Sequence, residues 1–424
     1  MTIRNLFLLL CAGIFSGTIL ILAAYSLPTE KIYYHMQKSA EIYKIEGESP
    51  RWGGVVHTKL DNFTTSIMLM EAAYPAEGKI LNSALLNPLW QFSNNAPVSK
   101  LIEVSENNIQ AENDAWNYSR YWHGYLVFLK PLMIFSNLSH LRDLNFFLQF
   151  FLTLTALFLI CKKLGIYQAY LFALILALIN PITAALDFQI SSVFYVTIIS
   201  VIFILLKNEF LQRGANILYF FAVVGIVTVY LDFLTYPFIT FGVPLCVYIF
   251  FNSEKIFSTM PLKFLCKNLF AWSFGYFGMW AGKWIIATLL TDSNVIQDAL
   301  GAAAYRSSFD LSAVEGGRTF NIFEMFAQVI GTFFRGSAGI FSACIILYIL
   351  YSLIKNRKKI VVNKNKAATL AFIIFLPLLW YLVFSNHSYV HNFLSYREFT
   401  IAFYGIAGFF IESKIFSPMK YNET

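Results

Sequence analysis

The stretch HTKLDNFTTSIML, residues 57–69, sets one carboxylate, Asp61, among apolar and hydroxyl-bearing neighbours shortly after the first long hydrophobic run. A carboxylate held there has the chemistry of a general base at a membrane surface. Its structural alternative is a helix N-cap, because Asp is a favoured cap residue and NFTTSIMLMEAAY reads as a helix stopped by Pro75. Both roles hold together if the cap bond leaves one oxygen free. Lys283, between Trp280 and Trp284, is a cation inside an apolar run. Such residues are rare and point to an anionic ligand, the alternative being a side chain that snorkels to the interface.

Further polar residues fall in a few short segments. Arg306, Arg318 and Arg335 stand in the segment after the Lys283 run, with Gly316-Gly317 beside Arg318. Arginine suits bidentate contact with phosphate, although scattered arginines are more often solvated. His387 and His391 in HSYVHNFLSYR are four apart, hence on one helical face, with Arg397 following. The glutamate of HExxH is absent and no third ligand lies nearby, so sugar or phosphate binding is preferred to metal. Arg120 and His123 in SRYWHGY suit the rim of a cleft. Asp232 and Tyr236 in YLDFLTYP, and Asp187 in LDFQ, read first as turn residues, with a functional role for Asp232 and Asp187 left open.

The elements that hold these residues are set by composition. The 424 residues are 58% hydrophobic and 13% charged, far below the roughly 25% charged of a soluble domain. Apolar runs of about 20 residues, enough to cross a ~30 Å hydrocarbon core, recur along the chain. The expectation is an all-α, multi-pass integral membrane protein. Ten spans are expected, at about 5–25, 144–161, 166–186, 188–206, 216–231, 233–251, 268–290, 334–354, 367–386 and 398–412. The domain reading is a first transmembrane helix (1–25), an extracytoplasmic loop with juxtamembrane helices (26–143), and a helix bundle with outer loops (144–424). The apolar stretch 121–135, interrupted by Lys130-Pro131, is too short to span and reads as interfacial.

Charge fixes the expected orientation. Lys162-Lys163, Lys207 and Arg213, Lys255, Lys263 and Lys267, and the run KNRKKIVVNKNK at 355–366 all alternate onto one side, with Lys414 and Lys420. The positive-inside rule makes that side cytoplasmic, with both termini, and the plasma membrane is the expected location. The net charge of +7 is therefore sorted by membrane side and gives no sign of nucleic-acid binding. Cys11, Cys161, Cys246, Cys266 and Cys344 show neither metal-ligand spacing nor a disulfide framework. The residues suited to chemistry gather on the outer side.

One span, a large outer loop with an early acid, then a bundle with its polar residues outside: this layout resembles the GT-C superfamily of membrane glycosyltransferases. The resemblance is architectural and covers the whole chain. It implies that Asp61 is the catalytic or acceptor-orienting carboxylate. It implies a polyprenyl-phosphate sugar as donor, and a cell-envelope glycan or lipid-linked molecule as acceptor. Many members carry a second acid beside the first. Here Asn62 takes that place, so no cofactor is expected and a divalent metal is the less favoured option. On this reading Lys283, Arg306, Arg318 and Arg397 bind the donor phosphate, and Arg120, His123, Asp232, His387 and His391 bind substrate. The competing expectations are an O-antigen polymerase or ligase-like protein, whose large loop lies late in the chain, a transporter or flippase of lipid-linked saccharides, and a structural membrane subunit without chemistry.

Overall fold

The computed structural model describes residues 3–76, 78–93, 96–109, 115–258, 260–312, 318–356 and 363–412. Gly316, Gly317, residues 357–362 of the basic run, Lys414 and Lys420 lie outside the described residues. The chain is helical almost throughout. Helix α1 (Ile3–Tyr25) enters a loop region holding α2 (Glu30–Glu46), α3 (Asn62–Ala73), α4 (Ile80–Leu86), α5 (Pro97–Asn107) and α6 (Leu126–Met133). Two short antiparallel strands, Pro88–Leu89 and Trp116–Asn117, close this region, with Pro88 opposite Asn117. The bundle follows with α7 (Leu138–Leu164), α8 (Ile166–Ile179), α9 (Pro181–Leu186), α10 (Phe188–Leu206), α11 (Asn208–Leu211) and α12 (Asn216–Leu231). Then come α13 (Ile239–Phe251), α14 (Ser253–Phe257), α15 (Pro261–Leu290) and α16 (Val295–Arg306). Helices Ile322–Phe333, Gly336–Lys355, Lys364–Val383 and Thr400–Glu412 complete the array, with short helical turns over 385–399.

Among the described residues, five helices are long and apolar enough to cross a membrane: α1, α7, α10, Gly336–Lys355 and Lys364–Val383. The other expected spans fold as α15, which is 30 residues long, and as the shorter helices α8, α12, α13 and Thr400–Glu412. The expected span 166–186 is broken because Pro181 has no N–H and Asn180 before it takes φ 63°, a left-handed conformation that ends α8. Asn180 is then reused. Its side chain accepts the Thr183 N–H at 3.2 Å, capping α9, and donates to the His57 carbonyl of the first loop at 2.8 Å. The bundle also begins earlier than expected, at Leu138.

Two interactions hold the layers. Helices α12 and α15 cross in backbone contact, since a Cβ added at Gly225 would meet Trp272 O at 2.2 Å and one at Gly275 would meet Ala222 O at 2.2 Å. Small residues permit this approach where lipid supplies no hydrophobic drive between helices. The first loop is bonded to the same α15. Trp122 Nε1 donates to Met279 O at 2.7 Å, and the Arg120 carbonyl accepts Trp280 Nε1 at 2.7 Å and Trp284 Nε1 at 2.9 Å. Lys283 Nζ donates to Asn87 Oδ1 at 2.9 Å and Ala84 O at 3.2 Å.

Gly225→Ala should lower the thermal midpoint of the detergent-solubilised protein, by an overpacking cost of about 1–3 kcal/mol. Gly301→Ala, at an exposed position inside α16 with open space, should leave it unchanged or raise it, since Ala favours the helix over Gly. Equal midpoints for the two variants would contradict the close crossing.

Candidate active site

Two helices begin at the same point. Asp61 caps α3, with Oδ1 accepting the Thr64 N–H at 3.2 Å and Oδ2 accepting the Thr64 hydroxyl at 2.8 Å. Asp187 caps α10, with Oδ1 accepting the Gln189 N–H at 3.1 Å. The Asp61 backbone N–H donates to Asp187 Oδ2 at 2.7 Å, and the Thr65 hydroxyl reaches Asp187 Oδ1 at 3.3 Å. Both side chains are buried. Each carboxylate thus sits at the positive end of a helix dipole and takes donors that partly offset its loss of water. Burial still raises both: the Asp187 carboxyl rises to about 7, pushed first by desolvation and then by Asp61. The Asp61 carboxyl rises by burial against the Thr64 bonds and the nearby Lys59. The cap leaves each Asp61 oxygen a second lone pair, so capping and base chemistry are compatible here.

The surroundings are polar and incompletely bonded. Arg142 grips Glu46 through two bonds of 2.6 and 3.0 Å and donates to Leu186 O at 2.9 Å. Glu46 also accepts from Asn62 Nδ2 at 3.0 Å. The Tyr43 hydroxyl and Gln189 Oε1, both in buried residues, have no hydrogen-bond partner among the described residues. Tyr43 feels the charges of Arg142, Asp187, Glu46 and Asp61.

On another side of Asp61 lies a cationic group. Lys59 Nζ sits 4.0 Å from the centroid of the Phe393 ring. Its ammonium is lowered by burial and raised by Asp61 and Asp187, so it lies within electrostatic reach of both acids. It also acts on His391, which is lowered to about 3 by burial, Arg306 and Lys59. A neutral imidazole accepts, and Arg306 Nη1 donates to His391 Nε2 at 2.9 Å. The His387 ring lies 4.6 Å from that of His391. Neither of its nitrogens reaches hydrogen-bond geometry, and the same holds for Ser388 Oγ and Asn386 Oδ1 among the described residues. Arg306, His391, His387 and Asp61 are therefore the expected site residues that the fold gathers, through Lys59.

Other expected site residues are committed elsewhere. Lys283 is buried and bonded to Ala84 and Asn87, which makes it a docking group for the first loop; it neither snorkels nor faces the acids. Arg397 is buried, donating from Nε to Ile179 O at 2.7 Å, from Nη1 to Phe393 O at 2.6 Å and from Nη2 to Thr183 Oγ1 at 3.1 Å. Its guanidinium clamps α8 and α9 to the 385–399 segment. Arg318 pairs with Glu324 at 3.0 Å on the surface. Arg120 pairs with Asp298 at 3.1 Å. His123 holds Tyr118 O at 2.6 Å and contacts buried Glu71 at 2.9 Å. Asp232 accepts from Thr235 N at 3.0 Å and from the Thr235 hydroxyl, closing a turn in which Leu234 takes φ 70°. Tyr236 donates to Ile190 O at 2.7 Å.

The sequence reading missed Asp187 as the partner of Asp61. Asn62 does occupy the neighbouring position, yet the second acid arrives from α10. The available signal was that Asp187, like Asp61, precedes a helix on the same expected side. Among the described residues no group of three His, Cys, Asp or Glu side chains gathers.

A groove of about 870 Å³ opens between α6, α7, α10 and α12, and neither Asp61 nor Asp187 is among its lining residues. At one end it is lined by Met68, one helical turn beyond Thr64, and by Phe188, the residue after Asp187. At the other end lie Phe210, Asn216 and Tyr219. From Phe188 to Phe203 along α10 it covers about 22 Å at 1.5 Å per residue, most of a hydrocarbon core. Comparison with known protein families, curated proteins and solved structures gives no match.

Folded, Asp187 keeps its proton up to about 7; unfolded, it loses it near 3.8. Over that interval the native chain binds the extra proton, so stability is greatest on the acid side and falls as pH rises. Asp187→Asn removes this titration. Thermal midpoints from pH 4 to 8 should decline less steeply in Asp187→Asn than in wild type; parallel profiles would contradict the buried acid.

Proposed function

We propose that this chain is a GT-C-type membrane glycosyltransferase. It would move a hexosyl or pentosyl group from a polyprenyl-phosphate donor to an extracytoplasmic glycan or lipid-linked acceptor. The observation that carries the reading is the Asp61–Asp187 pair, buried at the meeting of two helix starts, with Lys59 within electrostatic reach of both acids and of His391, to which Arg306 is bonded, and with Phe188, the residue after Asp187, lining an apolar groove.

In this reading the acceptor hydroxyl gives its proton to Asp61 as its oxygen attacks the anomeric carbon. The carbon–oxygen bond to the lipid phosphate breaks, and the electron pair leaves on the phosphate. A carboxyl raised by burial is a stronger base near neutral pH than an exposed one. Asp187 touches the backbone of Asp61 and acts as a positioning residue. Arg306 and Lys59 place positive charge toward the departing phosphate in a partly dry site, where it is worth more than in water. His391, neutral and bonded to Arg306, orients that guanidinium.

The flippase alternative requires a polar path for a saccharide through the bilayer. The groove wall is almost wholly hydrocarbon, with Leu148, Val196, Ile199, Val223 and Val227 along it. That suits a chain better than a sugar in transit.

The test is sugar transfer in proteoliposomes with polyprenyl-phosphate hexose and pentose donors and envelope glycan or glycolipid acceptors. Asp61→Asn should lower the rate by about 10²–10⁴-fold, the usual worth of a general base, with the fold retained. Arg306→Gln should raise the donor KM. EDTA should leave the wild-type rate unchanged. Full activity in Asp61→Asn would remove the reading, and loss of activity in EDTA would instead make Asp61 and Asp187 ligands of a cation.

A further inference from the structure

Half of the buried side-chain nitrogens and oxygens that lack a hydrogen-bond partner among the described residues fall within 380–400. Native chains leave few such groups, and a concentration of them marks a place built around a polar occupant. Trp380 Nε1, Asn386 Oδ1, both His387 ring nitrogens, Ser388 Oγ and Glu398 Oε2 are among them, and all five residues are buried.

Local structure sets these groups along one strip. The helix Lys364–Val383 ends three residues after Trp380, yet its four-residue repeat continues. Phe384 N donates to Trp380 O at 3.0 Å, Ser388 N to Phe384 O at 2.8 Å and His391 N to His387 O at 2.9 Å. Trp380, Phe384, His387 and His391 therefore share one face. The rings of Trp380 and Phe384 lie 4.5 Å apart, as those of His387 and His391 lie 4.6 Å apart. This face packs on the 232–238 turn. The Trp380 ring stacks on Phe238 at 5.6 Å, and the Leu234 backbone reaches toward His387. Glu398 closes the inner end, where its Oε1 accepts the Phe238 N–H at 3.0 Å. Tyr276, with its ring 6.2 Å from Trp380, feels the charges of Glu398 and Asp232. At the outer end Arg306 is bonded to His391, and Asn386 Nδ2 donates to Asp310 O.

The unpartnered groups are of both kinds. Trp380 Nε1 donates, Asn386 Oδ1 and a carboxylate oxygen accept, and the Ser388 hydroxyl does either. Burial, His391 and Arg306 all lower the His387 imidazole. It is therefore neutral, with one nitrogen to donate and one to accept. A phosphate oxygen brings acceptors alone and would leave Asn386, Glu398 and one His387 nitrogen unmet. A sugar hydroxyl both donates and accepts.

We propose that Trp380, Asn386, His387, Ser388 and Glu398, set against the 232–238 turn, form a seat for a sugar ring, and that the phosphate attached to that sugar lies at Arg306 and Lys59. Calling this ligand the donor rests on the transferase reading above; the sugar seat itself does not.

The experiment measures equilibrium binding to the full chain in lipid nanodiscs. The ligands are tritiated polyprenyl-phosphate glucose, mannose, galactose and arabinose, and the bare polyprenyl phosphate. Trp380→Phe deletes one N–H and keeps an aromatic ring. It should weaken the best-bound sugar ester about three- to tenfold, the usual worth of one hydrogen bond. His387→Ala removes a donor and an acceptor together and should weaken it by about tenfold or more. His387→Asn, which returns a donor and an acceptor, should recover part of that loss. Binding of the bare lipid phosphate should stay within about twofold of wild type in all three, well under the worth of one hydrogen bond, with thermal midpoints unchanged. Arg306→Gln should weaken both kinds of ligand. Sugar-ester binding unchanged in Trp380→Phe and His387→Ala, the result expected if the strip holds only water, would overturn the proposal. So would equal weakening of the bare lipid phosphate, or failure of wild type to bind any of the sugar esters. Unchanged binding together with Asp61-dependent transfer would overturn this inference alone. Selective loss of sugar-ester binding in a chain that transfers no sugar would remove the enzyme reading and leave the seat standing.

Discussion

A backbone hydrogen bond, from the N–H of Asp61 to the carboxylate of Asp187 at 2.7 Å, is the constraint on which the site depends. It joins the start of α3, in the first loop, to the start of α10, in the bundle. Two carboxylates buried together are costly, because each loses water and repels the other. The fold answers with two helix N-termini, cap bonds from Thr64 and Gln189, and the Arg142–Glu46 pair nearby. The arrangement keeps two raised carboxyls side by side, a state suited to accepting a proton near neutral pH.

Docking of the first loop has to hold that contact in place, and much of the unusual sequence serves it. The Arg120 carbonyl receives two indole N–H groups, Trp122 donates to α15, and Lys283 reaches Asn87 and Ala84. Asn180 joins the α8–α9 break to His57, two residues before Lys59. Arg397 ties the same break to the 385–399 segment. The loop, the broken helix and the histidine segment are thus fixed relative to one another by buried polar bonds. In lipid, such bonds are the means of specifying a geometry that hydrophobic burial alone leaves loose.

The all-helical membrane class was legible in the sequence, because long apolar runs have few other solutions. The break at Asn180-Pro181 was available in the residue types but was read through, since the apolar run continues past it. Asp61 could be singled out because it follows the first span and precedes a helical pattern. Its cap role and its place beside a second acid were separate questions, and only the first has a local signature. Asp187 lies far along the chain, and sequence spacing carries no trace of that contact. Lys283 and Arg397 show the converse. A buried cation draws a functional reading from sequence, yet these two are satisfied by carbonyls and side chains of distant elements. His387 and His391 were legible as a pair by their four-residue spacing. That Arg306 bonds one of them, from the end of α16, was not.

The central claim is that Asp61 and Asp187 form one buried, interacting pair, and a double-mutant cycle tests it most directly. Thermal and denaturant unfolding at neutral pH would be measured for wild type, Asp61→Asn, Asp187→Asn and the double variant. Residues in contact show interaction energies of about 0.5–3 kcal/mol. The account predicts a coupling in that range, with Asp187→Asn less stabilising once Asp61 is already neutral. Additivity to within about 0.3 kcal/mol, the behaviour of independent sites, would contradict it.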